Sequence, residues 1–326
     1  MSPKKIHRIA VVTSGGDCPG LNACIRAVVR RAIGLGIGVW GIRRGFKGLM
    51  EGELIPLNHQ STSGLIHQGG TFLLSARSEE FYQRGGREKA LQTLEKHDID
   101  GLIVMGGNGS LRGAWELSKQ TPIPIVGIPK SIDNDVGGTD YSIGFDTAVN
   151  TVVSAIDRLR DTATSHERLF LVEVMGRDRG FLALASAISS GAEEVLLPET
   201  PTNIRQICTR LKEGKRRGKL SSIIVVAEGD EAGGALKIAQ KIKRLTDYDI
   251  RVSVLGHLQR GGRPSAFDRF LASQLGCVAV EVLCRQKRTC MVGIIKGKVK
   301  ISPLTTAWKA KRRLDPYHLK LSRLLV

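Results

Sequence analysis

One segment joins an apolar strand pattern to reactive side chains: Pro129-Lys130-Ser131-Ile132-Asp133-Asn134-Asp135. It places a hydroxyl and two closely spaced carboxylates directly after the apolar run 123–128. Upstream, Gly106-Gly107-Asn108-Gly109-Ser110 follows the apolar run 101–105. A turn of small residues lets backbone N–H groups approach a polyphosphate, and a carboxylate at a strand end can accept the proton of an attacking alcohol. The two segments suggest phosphoryl transfer to a hydroxyl, although Gly, Asn and Asp also form ordinary turns.

Along the whole chain, short apolar runs bounded by Gly or Pro alternate with helical patterns. The runs are 8–12, 101–105, 123–128, 169–174, 223–227 and 252–255. Apolar residues recur at helical spacing after the first run, in Leu21, Cys24, Ile25, Val28 and Val29, and again from Phe145 to Leu159. This βαβ rhythm predicts an α/β fold with mainly parallel sheets. A chain of 326 residues often divides into two lobes.

The composition is ordinary for a globular protein. Hydrophobic residues make up 41%, and no apolar run approaches the roughly 20 residues of a membrane span. The start Met1-Ser2-Pro3-Lys4-Lys5 leads into a strand pattern without the apolar segment of a secretory signal. We therefore expect a cytoplasmic location and no membrane partner.

The net charge of +18 raises the question of a polyanionic partner. Aromatic residues are only 5%, and no helix-turn-helix, RNP or zinc-finger pattern is present in the sequence. We therefore expect no specific nucleic acid, and interpret the charge as solvated surface or as a binding surface for phosphorylated small molecules.

The six cysteines form no CxxC pair and have no histidine at zinc-finger spacing. Buried, reduced thiols are the expected state. Cys18 is the exception because it lies at a predicted helix N-terminus, where the pKa of a thiol tends to fall. We expect it to be sensitive to oxidation without being catalytic.

A third glycine-rich segment, Gly15-Gly16-Asp17-Cys18-Pro19-Gly20-Leu21-Asn22, follows the first apolar run and opens a helix. Further motifs follow in order: Met175-Gly176-Arg177, Ala227-Glu228-Gly229 and Gly256-His257-Leu258-Gln259-Arg260-Gly261-Gly262. Together, from about residue 9 to about residue 279, the chain resembles the 6-phosphofructokinase family.

The resemblance implies two Rossmann-like three-layer lobes with mainly parallel sheets. The implied nucleotide-binding lobe comprises residues 1–140 and 257–303, and the sugar-phosphate-binding lobe comprises 141–256 and 304–326. It also implies a homo-oligomer, a tetramer in the family's manner, whose sites are completed by neighbouring subunits.

The implied reaction is ATP-dependent phosphorylation of fructose 6-phosphate at its 1-hydroxyl, a step of glycolysis. Asp133 resembles the family's general base, and Ser131 and Arg177 resemble the other catalytic groups. Residues that resemble nucleotide contacts are Gly15, Phe46, Arg77, Arg87, Gly107, Asn108, Gly109 and Ser110.

Residues that resemble sugar-phosphate contacts are Ser131, Asp133, Asp135, Met175, Gly176, Arg177, Glu228, His257 and Arg260, with Arg168 and Arg251 donated by a neighbouring subunit. Residues that resemble the family's allosteric pocket are Arg26, Arg30, Arg160, Glu193, Arg217 and Lys219.

Two departures keep alternatives open. Asn108 stands where the family commonly has an aspartate that helps to hold Mg²⁺, so the implied metal ligands Asn108 and Asp135 include a neutral amide. Asn108 favours a catalytically weak regulatory paralogue, whereas Asp133, Arg77 and the complete set of sugar-phosphate residues oppose that reading. Lys130 resembles the pyrophosphate-using branch, whereas Gly109 resembles the ATP-using branch. We give Gly109 more weight because it decides whether a nucleotide fits.

Overall fold

The structure is a computed structural model that describes residues 6–286 and 288–325. It divides into two compact units. The first contains the described residues up to Ser131, together with Asp135–Asp146 and Arg260–Arg312. The second contains Ile132–Asn134, Thr147–Gln259 and the described residues from Arg313 onward. The reactive segment 129–135 therefore contributes residues to both units.

The described strands, numbered in chain order, are β1 (Arg8–Thr13), β2 (Gly38–Ile42), β3 (Leu54–Leu57), β4 (Gly101–Gly106), β5 (Ile125–Pro129), β6 (Leu169–Val174), β7 (Glu194–Leu196), β8 (Ser222–Ala227), β9 (Ile250–Val254), β10 (Cys290–Ile295) and β11 (Lys298–Ser302). The described α-helices are α1 (Leu21–Ile33), α2 (Gly45–Glu51), α3 (Arg84–Lys96), α4 (Asn108–Ser118), α5 (Phe145–Ser165), α6 (Phe181–Ser190), α7 (Ile204–Arg216), α8 (Ala235–Lys243), α9 (Ala266–Gln286), α10 (Thr306–Lys309) and α11 (Pro316–Leu324).

The first unit is built on a seven-stranded sheet in the order β11-β10-β5-β4-β1-β2-β3. Its central strands are parallel, and β3 and β11 pair antiparallel at the two edges. Its core includes Val12, Leu102, Val104 and Leu111, all fully buried. Apolar runs buried on both faces are typical of parallel strands covered by helices.

The second unit is built on a parallel four-stranded sheet in the order β7-β8-β6-β9. A separate core joins Leu169, Leu171, Ile224 and Val226 to the apolar faces of α7 and α8. The predicted α/β class with mainly parallel sheets in two lobes is confirmed.

Each of the six apolar runs corresponds to a strand, with shifts at the ends. The predicted strand 123–128 begins at Ile125, because Pro122 and Pro124 lack the N–H that a sheet ladder requires. The last predicted strand begins two residues earlier than expected, at Ile250, where it pairs with Leu169 of β6. The helix predicted from Leu21 is α1, and the one from Phe145 is α5. Within residues 6–286 and 288–325, no helix has both the length and the apolar character needed to cross a membrane.

Candidate active site

In the first unit, three sequence motifs meet at one edge of the sheet. The chain runs from β1 toward β2 on one side and from β4 toward β5 on the other, so the sheet's strand order reverses between β1 and β4. Thr13 pairs with Met105, and Gly106 pairs with Pro129. The segments after β1, β4 and β5 therefore emerge side by side. Ligands of open α/β sheets bind at such a switch point, beyond the carboxyl ends of the strands.

A cavity of about 360 Å³ lies at this edge. Gly15 has a φ of 85°, a left-handed conformation that glycine adopts readily, and its carbonyl accepts a 2.6 Å hydrogen bond from Ser75 Oγ. Leu74 holds a left-handed φ of 61° without being glycine. The cavity is lined by Gly15, Gly16, Asp17, Thr71, Leu74, Ser75, Ala76 and Arg77. A glycine turn and an arginine make it suitable for an anionic group.

Two further cations border the Gly15–Gly16 turn. Lys130 is buried, and its Nζ donates a hydrogen bond to the Gly16 carbonyl. The Arg260 guanidinium packs so closely on Gly16 that a Cβ there would clash with Arg260 Nη1. A side chain at position 16 would therefore displace the Arg260 guanidinium from this turn. The structure places Arg260, predicted to contact the sugar phosphate, beside the predicted nucleotide turn.

The second glycine turn leads into α4. Ser110 is buried, and its Oγ donates to Ser14 Oγ at 3.1 Å, which ties the turn after β4 to the one after β1. A Cβ at Gly106 would clash with Ser110 Cβ, which cannot swing away, so this turn requires glycine. A Cβ at Gly109 would lie 3.7 Å from Tyr82 Oη, an ordinary van der Waals distance. The first N–H groups of α4 lack partners within the helix, so they can bind an anion.

Asn108, Asp135 and Ser131 form a small network in the same unit. Asn108 Nδ2 donates to Asp135 Oδ2 at 2.8 Å, and Ser131 Oγ donates to Asp135 Oδ1 at 3.1 Å. Asn108 Oδ1 is buried and has no hydrogen-bond partner among the described residues. The network therefore brings together both predicted metal ligands and one predicted catalytic hydroxyl.

Phe46 and Arg87, two of the residues predicted to contact the nucleotide, each contact another part of the first unit. Phe46 is 2% exposed and stacks on Phe81 with ring centroids 3.9 Å apart, so its side chain offers almost no surface to a ligand. Arg87, on α3, donates from Nη1 to the Tyr82 carbonyl at 2.7 Å. Tyr82, which the sequence did not single out, stands between Arg87 and Gly109. Burial raises the pKa of its phenol.

In the second unit, the ends of β6 and β8 hold a loop in a strained conformation. Val174 pairs with Ala227, which places Glu228 beside the residues that follow β6. Glu228 Oε1 accepts hydrogen bonds from the N–H groups of Gly176 at 3.2 Å and Arg177 at 2.6 Å. These bonds hold Arg177 at a left-handed φ of 52°. Non-glycine residues in this region are uncommon and often occur at functional sites.

The same loop carries the cation that faces Asp133. Arg177 Nε lies 3.7 Å from Asp133 Oδ2. Asp133 is 7% exposed, whereas 62% of the Arg177 side chain is exposed. The structure therefore brings together the predicted proton acceptor and a cation that remains available to an anionic ligand.

Gln259 is a residue whose role the sequence did not reveal. It is fully buried; its Oε1 accepts from the Met175 N–H at 3.1 Å, and its Nε2 donates to the Gly256 carbonyl at 3.0 Å. It thus fixes both Met175 and the start of the 3-10 helix Gly256–Arg260. His257, in that helix, is exposed. In the sequence, Gln259 is marked only by its place in a glycine-flanked motif. Its burial and its two hydrogen bonds show that it positions its neighbours.

Arg168 and Arg251, predicted to serve a neighbouring subunit's site, converge on Asp249. Arg168 Nε lies 2.7 Å from Asp249 Oδ2, and Arg251 Nη1 lies 3.0 Å from Asp249 Oδ1. The hydrogen bond from Arg168 lowers the pKa of the Asp249 carboxyl. One carboxylate therefore holds both arginines on a single surface of the second unit.

Three of the predicted allosteric residues also cluster in the second unit. Glu193 Oε1 lies 3.3 Å from Arg160 Nη1 and 3.1 Å from Lys219 Nζ. Arg217 follows α7 in the same unit, whereas Arg26 and Arg30 lie on α1 of the first unit.

The expectation for Cys18 was wrong. Its thiol is buried and donates to the Ile143 carbonyl at 3.2 Å. Burial raises its pKa to about 12, and the nearby Lys130 offsets only part of that effect. Removal of the thiolate from water outweighs the helix N-terminus here.

Comparison with known proteins places these features in a family. The sequence model of the family described as Phosphofructokinase matches residues 8–283. A Thermus thermophilus protein named ATP-dependent 6-phosphofructokinase 1 is 50% identical over 320 residues, which cover 98% of this chain and 99% of the relative.

Solved structures agree in fold. Phosphofructokinase from Saccharomyces cerevisiae superposes with a TM-score of 0.88 at 34% identity, over 93% of this chain and 45% of the yeast chain, so this chain spans less than half of that protein. A pyrophosphate-dependent phosphofructokinase from Marinobacter aquaeolei gives a TM-score of 0.86 at 24% identity, over 96% of this chain and 86% of that one, and shows the fold alone. On the strength of a match to most of its length and a relative half identical throughout, this chain belongs to the phosphofructokinase family.

Proposed function

We propose that this protein transfers the γ-phosphoryl group of ATP to the 1-hydroxyl of fructose 6-phosphate, giving fructose 1,6-bisphosphate and ADP. The observation that carries the proposal is the 50% identity, over nearly the full length of both chains, with an ATP-dependent 6-phosphofructokinase. The cavity beside Gly15 and the Asp133–Arg177 pair supply the chemistry that such a reaction needs.

The first unit is proposed to bind the nucleotide. The glycine turn at Gly15 and the N-terminus of α4, from Gly107 to Ser110, would offer backbone N–H groups to the phosphates. Arg77, in the wall of the cavity, would neutralise their charge. Arg87, which donates to the Tyr82 carbonyl, would add a second positive charge. Phe46 would support the stacked ring of Phe81 and would not itself contact the nucleotide.

Asp133 is proposed to act as the general base. It would accept the proton of the sugar 1-hydroxyl as that oxygen forms a bond to the γ-phosphorus and the bond from phosphorus to the bridging oxygen of ADP breaks. Arg177 would stabilise charge on the transferred group, because its exposed guanidinium can pair with a phosphoryl oxygen while it remains near Asp133. Ser131 would contribute its hydroxyl near the same group.

The residues present fit a Mg²⁺ ion that arrives with the nucleotide. Asp135 offers a carboxylate, and the buried Asn108 Oδ1 offers an oxygen acceptor without a partner among the described residues. No cluster of three or more His, Cys, Asp or Glu side chains suited to a metal occurs within residues 6–286 and 288–325. A few protein oxygens completed by phosphates and water are typical of Mg²⁺. When bound, the ion would neutralise charge on the β- and γ-phosphates.

The second unit is proposed to bind the sugar phosphate. Glu228 already holds the loop containing Met175, Gly176 and Arg177, and its second oxygen can accept from a sugar hydroxyl. His257 and Arg260 would bind the 6-phosphate.

Arg168 and Arg251 would complete the same site of a neighbouring subunit, so the working form is proposed to be a homotetramer. Their shared anchor, Asp249, keeps both guanidinium groups on one surface, as a donated pair requires.

The remaining assignments follow from the family resemblance. The nucleotide-binding lobe would comprise residues 1–140 and 257–303, the sugar-phosphate lobe 141–256 and 304–326, and the protein would work in the cytoplasm. An effector anion would bind through Arg26, Arg30, Arg160, Arg217 and Lys219, with Glu193 balancing the charge of Arg160 and Lys219.

Pyrophosphate remains the second candidate donor because of Lys130. Its ammonium group contacts Gly16, which lines the cavity, and its charge would favour a small anion there. Incubation of the purified protein with fructose 6-phosphate and Mg²⁺, with ATP and pyrophosphate offered in parallel, separates the candidates. We expect fructose 1,6-bisphosphate from ATP alone. Product from pyrophosphate alone would reverse the assignment, and product from neither would favour a regulatory paralogue.

A further inference from the structure

Asn22, in the first turn of α1, makes three hydrogen bonds to one irregular stretch of the first unit. Its Oδ1 accepts from the Phe72 N–H at 2.7 Å. Its Nδ2 donates to the Gln68 carbonyl at 3.3 Å and to the Gly69 carbonyl at 3.0 Å. The side chain is 2% exposed. Because a backbone N–H only donates and a carbonyl only accepts, these partners fix the orientation of the amide.

The stretch that Asn22 contacts continues into the wall of the cavity beside Gly15. Five of the cavity-lining residues lie between positions 71 and 77, which we call the wall segment: Thr71, Leu74, Ser75, Ala76 and Arg77. The backbone of the wall segment is irregular. A backbone without a helix or sheet ladder depends on other partners for its polar groups. The shape of this wall therefore depends on side chains that reach it from neighbouring elements.

Leu74 shows that the wall segment is held in one conformation. Its left-handed φ of 61° is unfavourable for leucine. Thr13 Oγ1 donates to the Leu74 carbonyl at 3.0 Å, and the Leu74 N–H donates to the Thr71 carbonyl at 3.0 Å. A strained residue persists only where the surrounding contacts determine its conformation. Thr13 fixes the middle of the wall segment, and Asn22 fixes its start.

We propose that Asn22 is a positioning residue for nucleotide binding. By tying residues 68–72 to α1, it keeps the wall segment, which ends in Arg77, in the conformation that binds phosphates. The identity of the ligand rests on the proposed function, whereas the positioning rests on the three hydrogen bonds. Asn22 acts through the wall segment, so its loss should affect the KM for ATP far more than the KM for fructose 6-phosphate.

Steady-state kinetics of two variants test this split. Asn22→Ala removes the acceptor of the Phe72 N–H and both donated hydrogen bonds. We expect it to raise the KM for ATP by roughly 10-fold, the effect of losing one or two well-placed hydrogen bonds. Asn22→Asp is nearly isosteric and opens no cavity, but its carboxylate has no N–H to offer the two carbonyl groups. It should raise the KM for ATP as well, and both variants should keep the native KM for fructose 6-phosphate.

Amide hydrogen exchange without nucleotide measures the positioning independently of turnover. The Phe72 amide of the native protein should exchange slowly, because its hydrogen bond to Asn22 is buried. In Asn22→Ala it should exchange roughly 10-fold faster or more, and the rest of the peptide 68–77 should lose protection with it. Peptides from the second unit should exchange as in the native protein.

Asn203→Ala is the matched control. Asn203 caps α7 in the second unit, where its Oδ1 accepts from the Gln206 N–H at 3.1 Å. The substitution removes a hydrogen bond of an asparagine side chain at a helix start, so it should lower the free energy of unfolding. It should change neither the KM for ATP nor the exchange of residues 68–77. Urea unfolding of every variant shows that each is folded under the assay conditions.

A native KM for ATP in both Asn22 variants would overturn the proposal. An equal rise in the KM of both substrates would also overturn it, because that result indicates a general loss of structure. So would a Phe72 amide that stays protected in Asn22→Ala. A native protein that is inactive with ATP, while Asn22→Ala exposes the Phe72 amide, would refute the proposed function and leave the positioning of the wall segment intact.

Discussion

Arg177 Nε lies 3.7 Å from Asp133 Oδ2, an ion pair between a strained loop after β6 and the segment that follows β5. The carboxylate is buried, and the guanidinium is largely exposed. In the proposed mechanism, Asp133 would accept the proton of the incoming hydroxyl, and the exposed Arg177 guanidinium would meet the transferred group.

Replacement of Asp133 by serine should lower kcat by at least roughly 10²-fold, the contribution typical of a general base. The KM for fructose 6-phosphate should change little, because Glu228 and the surrounding cations remain. Steady-state kinetics with varied sugar phosphate measure both parameters. Asp178→Ser, an exposed carboxylate beside Arg177, is the control and should keep the native kcat. Equal turnover in the Asp133 variant would remove Asp133 from the base role.

Replacement of Gly109 by aspartate should reduce kcat/KM for ATP by roughly 10-fold or more, because a carboxylate in the first turn of α4 repels the phosphates that this helix end attracts. Gly109→Ala is the control. Its Cβ would lie at an ordinary distance, 3.7 Å from Tyr82 Oη, so activity should persist. Steady-state kinetics with varied ATP measure kcat/KM for each variant. If the alanine variant lost as much as the aspartate variant, space rather than charge would be the determinant.

Replacement of Gln259 by leucine should raise the KM for fructose 6-phosphate and destabilise the protein by about 1–3 kcal/mol, because the Met175 N–H and the Gly256 carbonyl lose their buried partner. Urea unfolding and steady-state kinetics report the two effects. Gln206→Leu makes the same chemical change at an exposed helix position and should have little effect on either. A stable Gln259 variant with native KM would show that the loop holds its shape without this residue.

Cys18 should resist alkylation in the folded protein. Its pKa is raised to about 12, so the reactive thiolate is nearly absent at neutral pH, and the thiol is buried as well. Iodoacetamide at pH 7.5 followed by peptide mass spectrometry should leave Cys18 unmodified until urea is added. Cys284, which is partly exposed, serves as the comparison within the same sample. Rapid labelling of Cys18 in the native state would contradict the assignment.

The same shift has a consequence for stability at alkaline pH. The unfolded thiol loses its proton near its ordinary pKa of 9.0, whereas the folded thiol keeps it until about 12. Between these values the unfolded state binds fewer protons, so the free energy of unfolding falls as pH rises. Removing the thiol with Cys18→Ala should make this fall less steep, as urea unfolding from pH 8 to pH 10 would reveal.

The sequence predicted those features that local pattern determines. Alternating apolar runs and helical stripes identified β1, β4, β6 and α1, because burial on parallel strands and on one helix face imposes those periods. Glycine turns at strand ends marked the edge of the sheet where the motifs meet. The antiparallel pair β10 and β11 was not predicted, because its pairing depends on contacts distant in the chain.

Side-chain placement was the part that local pattern could not supply. Gln259 is recognised as a positioning residue only once its burial is known. The contact between Arg260 and Gly16 joins residues far apart in the chain, so no local pattern predicts it. For Cys18, local pattern led to a wrong prediction. Its neighbours in sequence suggest a reactive thiol, but the tertiary environment removes the water that a thiolate needs.

The left-handed backbone of Arg177 implies a conflict between durability and catalysis. Glycine would adopt that φ of 52° at lower conformational energy, with a difference of roughly 1–2 kcal/mol before glycine's greater chain entropy is counted. A search for heat-resistant variants scored only by resistance to unfolding would therefore be drawn toward glycine at this position. The selected proteins would survive heating but would have lost the guanidinium that faces Asp133, so such a search needs a turnover assay beside the unfolding assay.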